Sequence, residues 1–169
     1  MKYDQIANEE VLEKTKLALE NNGFSVQIVD TSDLAKQAVL GLIPAGSEVM
    51  TMTSVTLTDL GLEQELNESG NYDSLKSKLG NMNRETDGNA MQKLGAAADY
   101  SVGSVHAVTE DGKVVVASNT GSQMAGYVYG SSHVVWVVGA QKIVKDFDDA
   151  LKRIYDYVLP LESERAHKA

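Results

Sequence analysis

The chain contains no cysteine. This absence excludes disulfide bonds, thiolate nucleophiles, cysteine-held zinc and cysteine-ligated iron–sulfur clusters. Histidine is also scarce, and His106, His133 and His167 do not show the spacing of metal ligands. We therefore expect a protein that holds neither a metal nor another cofactor.

Proline, aromatic residues and long apolar runs are few as well. The sequence has two prolines and 6% aromatic residues, yet 43% of its residues are hydrophobic, which indicates a compact globule rather than disorder. The longest apolar stretch, around residues 134–138, is far too short to span a bilayer. The acidic N-terminal stretch MKYDQIANEEVLEK lacks the apolar segment of a signal peptide. We expect a soluble cytoplasmic protein that does not bind membranes.

Basic residues are fewer than acidic ones: the sequence has 15 basic and 24 acidic residues, and its formal net charge is −9. A field of that sign repels phosphate backbones, so we expect no binding to nucleic acid. The 169 residues suit one domain with a core large enough to fold alone. We therefore predict a single domain over residues 1–169, which could also form a homo-oligomer.

Two kinds of hydrophobic spacing alternate along the chain. Helical spacing and capping residues predict helices over residues 8–22, 31–42, 56–66 and 147–159. Alternation and β-branched residues predict strands over residues 24–30, 47–52 and 133–139, the last buried on both faces. The pair Asp111-Gly112 predicts a hairpin between VHAVTE and KVVVAS. The fold class that follows is α/β, with a mostly parallel sheet flanked by helices and one β-hairpin.

Residues 67–90 interrupt this pattern. They are polar and carry the turn signals of NESGN and DGN. We interpret them as a flexible excursion with one short helix over residues 72–79.

Polar side chains crowd two predicted strand–helix junctions, and both are candidates for ligand binding. The first junction spans residues 118–123 and includes Asn119, Thr120, Gly121, Ser122 and Gln123. Exposed backbone N–H groups at such a helix start favour an anion, although an ordinary capped turn explains the same residues. The second junction spans residues 51–56 and contributes Thr53 and Ser54, for which plain capping is again the alternative.

A second group of candidates lies around the hairpin and after the last predicted strand. Ser104 and His106 share one face of a predicted strand, and His106 is either an acid–base group or a structural residue. Glu110 is either a site carboxylate or part of the turn. Gln141 and Lys142 follow residues 133–139, where a lysine could balance an anionic substrate. We predict one crevice lined by residues 51–56, 104–110, 118–123 and 139–142.

Three segments resemble one known family. They are GSEVMTMTSVTLTDLGL, ADYSVGSVHAVTEDGKVVVASNTGSQMAGYVYG and VVWVVGAQKIVKDFDDALKRIYDYVLPLESERA. Together they are similar to the LUD-domain family, the lactate-utilisation protein C group. The resemblance implies a fold like the NagB/RpiA/CoA-transferase superfold. Sugar-phosphate isomerases of that fold carry Gly-Ala-Asp where this chain has GSVH, and the missing aspartate argues against isomerase chemistry.

The resemblance implies a role in bacterial oxidation of L-lactate to pyruvate, with iron–sulfur clusters held by partner subunits. The first hypothesis is therefore a cofactor-free accessory or ligand-binding subunit that takes a small anionic ligand. The alternative is a free-standing enzyme that uses the strand–helix loops on an organic acid, sugar phosphate or acyl-CoA. A regulatory ligand sensor ranks last, because the sequence shows no DNA-binding helix pair and its charge is negative.

Overall fold

The computed structural model describes residues 2–168. The helices are α1 Glu9–Asn21, α2 Ser32–Leu42, α3 Val55–Asp59, α4 Leu62–Glu68, α5 Leu75–Gly80, α6 Arg84–Ala96, α7 Ser122–Ala125, α8 Phe147–Arg153 and α9 Leu159–Lys168. The strands are β1 Glu48–Thr51, β2 Asp73–Ser74, β3 Tyr100–Gly103, β4 Ala107–Thr109, β5 Val114–Val115, β6 His133–Trp136 and β7 Ile143–Val144. Short 3₁₀ turns cover Lys2–Asp4 and Ala140–Lys142, and π-helical turns cover Gly126–Gly130 and Ile154–Val158. The mixed α/β class is thus confirmed.

The described chain divides into two compact units. One, here the four-strand unit, comprises residues 29–104 and 118–137, and the other, the three-strand unit, comprises residues 2–28, 105–117 and 138–168. Each unit contains its own sheet. The prediction of a single domain stays a prediction.

The four-strand unit is built on a parallel sheet with strand order β2-β1-β3-β6. Helices α2, α3 and α4 supply most of its core, which comprises Val39, Ile43, Val49, Leu57, Leu62, Leu66 and Val102. Parallel neighbours need a long crossover, and helices fill that role here. The helices flanking this mostly parallel sheet match the predicted layout.

The three-strand unit holds the predicted hairpin. β4 pairs antiparallel with β5 and parallel with β7. Gly112 takes the left-handed conformation (φ 82°) at the turn, as a tight hairpin requires. A Cβ on Gly112 would lie 2.7 Å from the backbone of Ala18, and Asn22 donates a hydrogen bond to the Gly112 carbonyl (2.9 Å). The hairpin turn therefore packs against α1.

Four predictions about elements need correction. Residues 24–30 are irregular rather than a strand, because alternating hydrophobicity does not by itself provide a neighbouring strand. The helix predicted over residues 56–66 is two helices, α3 and α4, separated by left-handed Gly61 (φ 63°). β6 is a half-buried edge strand and is not buried on both faces. Finally, His106 lies in the bend just before β4 instead of within a strand.

The segment 67–90 is also different from the predicted excursion. It contains β2, which pairs with β1, as well as α5 and the first half of α6. Leu75 is fully buried, and Ser74 donates a hydrogen bond to Asn67 (2.8 Å). The pairing of β2 with β1 and the burial of Leu75 therefore hold the segment against the sheet, although turn signals dominate its sequence.

Candidate functional site

Two of the predicted strand–helix residues lie at the carboxyl edge of the four-strand sheet. β1 and β3 are parallel, with Thr51 paired to Val102, so the residues that follow both strands emerge at one edge. Thr53 is exposed there, and Ser54 is the N-cap of α3 without a side-chain cap bond. Hydroxyl groups are therefore present at this edge.

Ser104 follows β3 at the same edge and connects the end of β3 to the residue after β6. Its Oγ donates to the carbonyl of Val137 (2.6 Å), while its own carbonyl accepts a hydrogen bond from the Tyr127 hydroxyl (3.3 Å). Next to it, a Cβ on Gly103 would fall 1.7 Å from the Tyr127 oxygen. Ser104 therefore has a structural role that its sequence position did not reveal.

The polar loop at residues 118–123 satisfies many of its hydrogen bonds internally. Ser118 Oγ accepts from the Gly121 N–H (3.1 Å), and Thr120 Oγ1 donates to Ser122 Oγ (3.0 Å). Gly121 is left-handed (φ 74°), and α7 behind it has only four residues. Asn119 is exposed and Gln123 is half-buried. These bonds lie within the loop itself, and a ligand at the loop stays a prediction.

His106 and Lys142 lie at one edge of the three-strand sheet. β4 and β7 are parallel with Val108 paired to Ile143, so the residues just before the two strands start from the same edge. His106 is half-buried, and its Nδ1 accepts a hydrogen bond from the Ala117 N–H (3.2 Å). Burial, with Lys142 nearby, lowers the pKa of His106. The neutral ring consequently carries its proton on Nε2.

Lys142 is half-buried at the end of the 3₁₀ turn Ala140–Lys142. Burial lowers the pKa of its amine to about 8, and the positive charge of Arg153 acts in the same direction, whereas Glu162 opposes it. A fraction of the Lys142 amine is therefore uncharged near neutral pH.

Arg153 is the third basic residue of this region and is only 3% exposed. Its guanidinium lies 5.1 Å from the ring centroid of Tyr157 and 6.0 Å from that of Tyr3. Burial lowers the pKa of Arg153, and its buried Nε has no hydrogen-bond partner within residues 2–168. We call the three basic residues His106, Lys142 and Arg153 the cation cluster, because the positive charges of Lys142 and Arg153 add to burial in lowering the pKa of His106.

The remaining two candidates of the three-strand unit make other contacts. Glu110 forms an ion pair with Lys14 of α1 (2.7 Å), and its backbone N–H donates to the Val144 carbonyl. The amide of Gln141 folds back over Gly139, where a Cβ would lie 2.3 Å from the Gln141 Oε1. Glu110 thus connects the hairpin to α1, and Gln141 covers its own turn.

The twelve predicted site residues are divided between the units. The four-strand unit contains Thr53, Ser54, Ser104 and the loop residues Asn119, Thr120, Gly121, Ser122 and Gln123, and the three-strand unit contains His106, Glu110, Gln141 and Lys142. Each unit brings together part of the set. The single crevice that we expected from the sequence stays a prediction.

Sequence reasoning missed Arg153 and the two tyrosines beneath it. Ala150 and Arg153 are three residues apart and share the buried face of α8, and Tyr157 follows in the π-helical turn Ile154–Val158. An arginine on the apolar face of an amphipathic helix was the available signal. Tyr3 gave no comparable signal, because only tertiary packing places it under the guanidinium.

Two kinds of feature are absent from the described residues. Across residues 2–168, no three His, Asp or Glu side chains are grouped so that they could hold a metal ion. In the same part of the chain, no helix has the length and apolar character needed to cross a membrane.

A comparison with known protein families identifies the chain. The family model described as the LUD domain matches residues 12–169. No curated protein and no solved structure matches the chain. Because the matched region is nearly the whole sequence, the chain belongs to the LUD-domain family.

Proposed function

We propose that this LUD-domain protein is a cofactor-free ligand-binding subunit in bacterial L-lactate utilisation, and that its ligand is a small organic anion held by the cation cluster. Its partners would be subunits whose iron–sulfur clusters oxidise lactate to pyruvate. The family supports the pathway, and the buried Arg153 with an unpartnered Nε is the observation that supports the ligand.

The charge balance of the molecule supports an anionic ligand. A buried cation is unfavourable unless a negative group compensates it. The chain has nine more acidic than basic residues, yet its carboxylates near the cluster have other partners. Glu162 pairs with Arg165 (2.6 Å), and Asp4 accepts a hydrogen bond from the Tyr157 hydroxyl (2.5 Å). A ligand carboxylate would supply the compensating charge and would suit the planar guanidinium.

The free-standing enzyme remains a second candidate because of Lys142. An amine whose pKa lies near neutrality is suited to proton transfer or nucleophilic attack, whereas simple anion binding does not need it. A small anionic substrate would serve either candidate.

Ligand binding is tested by thermal unfolding of the purified chain with L-lactate, pyruvate and the neutral analogue L-lactamide. We expect a carboxylate at about 100 times its Kd to stabilise the fold by about 2.7 kcal/mol, and lactamide to have no effect. Arg153→Met should abolish the stabilisation. Lys152→Met, which removes an exposed cation one residue away, should preserve it. Equal stabilisation of both variants would show that the anion binds elsewhere.

The accessory role has a separate test. We expect the isolated chain to oxidise no L-lactate in the presence of an artificial electron acceptor, because it has no cysteine to hold a redox cluster. The tagged chain, purified from its native cells, should retain iron–sulfur subunits that restore lactate oxidation. Purification without any iron–sulfur partner, or turnover by the isolated chain, would contradict this role.

A further inference from the structure

The C-terminal helical segment carries an apolar stripe on its outer side. α8, the π-helical turn Ile154–Val158 and α9 follow one another without a break. One side of α8 is already buried, at Ala150 and Arg153, and a helix packed in this way normally presents polar residues to water. Instead, four large apolar side chains of this segment are between 36% and 64% exposed: Phe147, Leu151, Tyr155 and Leu159. We call these four residues the exposed stripe.

The π-helical turn keeps the exposed stripe straight. Four residues of an α-helix turn about 40° past a full circle, so side chains spaced by four residues gradually wind around the helix. In the π-helical turn, the Leu159 N–H donates to the carbonyl of Ile154, five residues earlier. This wider turn holds more residues than an α-helical one, so the step from Tyr155 to Leu159 drifts in the opposite sense. The stripe is therefore one continuous apolar surface along the helix.

We propose that the exposed stripe pairs with the exposed stripe of a second copy of this chain, antiparallel and about a two-fold axis. Its four residues are equally spaced, so reversing the direction of the stripe places Phe147 opposite the second copy's Leu159 and Leu151 opposite the second copy's Tyr155. Each contact then occurs twice, as in every two-fold symmetric interface. Apolar patches of this kind on a protein surface commonly mark such interfaces.

The charges beside the stripe favour the antiparallel arrangement. Lys152 and Asp156 are exposed, and each follows a stripe residue by one position, so both lie on the same flank. Antiparallel pairing brings Lys152 of each copy next to Asp156 of the other, whereas parallel pairing would bring like charges together. Residues 145–168 contain five basic and six acidic residues. This segment therefore adds little to the repulsion that a net charge of −9 produces between two copies.

The expected dimer is weak, because one helix face is smaller than the roughly 800 Å² per partner that a stable complex buries. Sedimentation equilibrium from about 1 μM to about 1 mM covers the corresponding range of dissociation constants. We expect a reversible monomer–dimer equilibrium within this range. A chain that stays monomeric throughout would overturn the proposal, and if Leu159→Asp then prevented capture of the iron–sulfur subunits, the stripe would bind those subunits instead.

A charge within the stripe should prevent pairing. Leu159→Asp should raise the dissociation constant of the dimer at least about ten-fold, because the new carboxylate is placed in an apolar contact. Leu42→Asp is the matched control, since Leu42 is a similarly exposed leucine on α2, and it should leave the dissociation constant unchanged. Circular dichroism confirms that both variants are folded. Equal dimerisation of the two variants would exclude the stripe as the interface.

Mixing two charge variants tests the flanking pair. Lys152→Glu and Asp156→Lys should each weaken their own dimer about ten-fold, because like charges then meet twice across the axis. In a mixture of the two variants, every flanking pair is again of opposite charge, so heterodimers should form preferentially. Changes within each helix are the same before and after mixing and cannot produce this preference. Heterodimers no more abundant than homodimers of either variant would contradict the proposed contact.

The absence of cysteine allows the direction of pairing to be tested by disulfide formation. Phe147→Cys and Leu159→Cys are mixed and oxidised. Antiparallel pairing places residue 147 directly opposite residue 159 of the second copy, whereas two copies of residue 147 would be separated by the length of the stripe, about 18 Å. A disulfide cannot bridge that separation. We expect the mixed disulfide to predominate, and a predominance of the two homodimeric disulfides would overturn the antiparallel arrangement.

Discussion

Replacing Lys142 by methionine is expected to stabilise the fold by about 2 kcal/mol at pH 7, and the gain should vanish by about pH 10.5. Methionine has a similar length and no charge, so it fills the half-buried position without the cost of burying a cation. Functional residues held in unfavourable environments commonly lower stability in this way.

The pH window follows from the direction of the pKa change. The Lys142 amine has a pKa of about 8 in the fold and 10.5 as its ordinary value. Between these values the unfolded chain binds more protons than the fold, so stability rises with pH across this interval. Below pH 8 the fold carries the full destabilisation that comes from burying the charged Lys142 amine. The difference between the two pKa values corresponds to about 3 kcal/mol of unfolding free energy. Partial solvent screening at this half-buried site reduces it to about 2 kcal/mol.

Urea unfolding of both proteins from pH 6 to pH 10.5 measures this effect. Lys145→Met is the matched control, since Lys145 is exposed and its removal changes the net charge equally. The difference between the two variants cancels the general effect of charge on an acidic protein. A Lys142→Met variant that is no more stable than Lys145→Met at pH 7 would show that Lys142 is well solvated.

Replacing Gly130 by alanine is expected to destabilise the fold by about 3 kcal/mol or more. Gly130 ends the π-helical turn Gly126–Gly130, where a Cβ would lie 1.7 Å from the carbonyl oxygen of Ala96 and 2.9 Å from that of Ala125. Both atoms belong to the backbone, so no side chain can rotate away to relieve the overlap. The end of α6 would have to move.

Gly88→Ala is the matched control for this prediction. Gly88 lies inside α6, and a Cβ there meets nothing within 4 Å. Alanine in an open helix position should therefore stabilise the fold by about 0.5 to 1 kcal/mol. Chemical unfolding of both variants should show changes in unfolding free energy of opposite sign. If Gly130→Ala lowered the unfolding free energy only slightly, α6 would be able to shift away from the π-helical turn at little energetic cost.

The sequence analysis named only two of the three residues of the cation cluster. His106 and Lys142 were named from the sequence, and their charges do interact in the three-strand unit. Their interpretation depended on Arg153, which the sequence pattern did not single out. A buried charge is recognised from the environment of its side chain, and helical periodicity only shows which face it occupies.

Features that depend on neighbouring residues were determined by the sequence. Asn8 and Thr31 accept capping bonds at the starts of α1 and α2, and Asp111-Gly112 forms the hairpin turn. Each of these structures needs hydrogen bonds or backbone conformations within a few residues. The amino acids involved therefore suffice to specify them.

Features that depend on distant residues were decided only by the tertiary structure. The edge position of β6, the missing strand at residues 24–30 and the pairing of β2 with β1 all depend on which strands find each other. The cation cluster joins side chains from the bend before β4, from the 3₁₀ turn before β7 and from α8 for the same reason. Pairing and burial are properties of the packed chain, so local spacing could place each residue on an element but could not assemble the site.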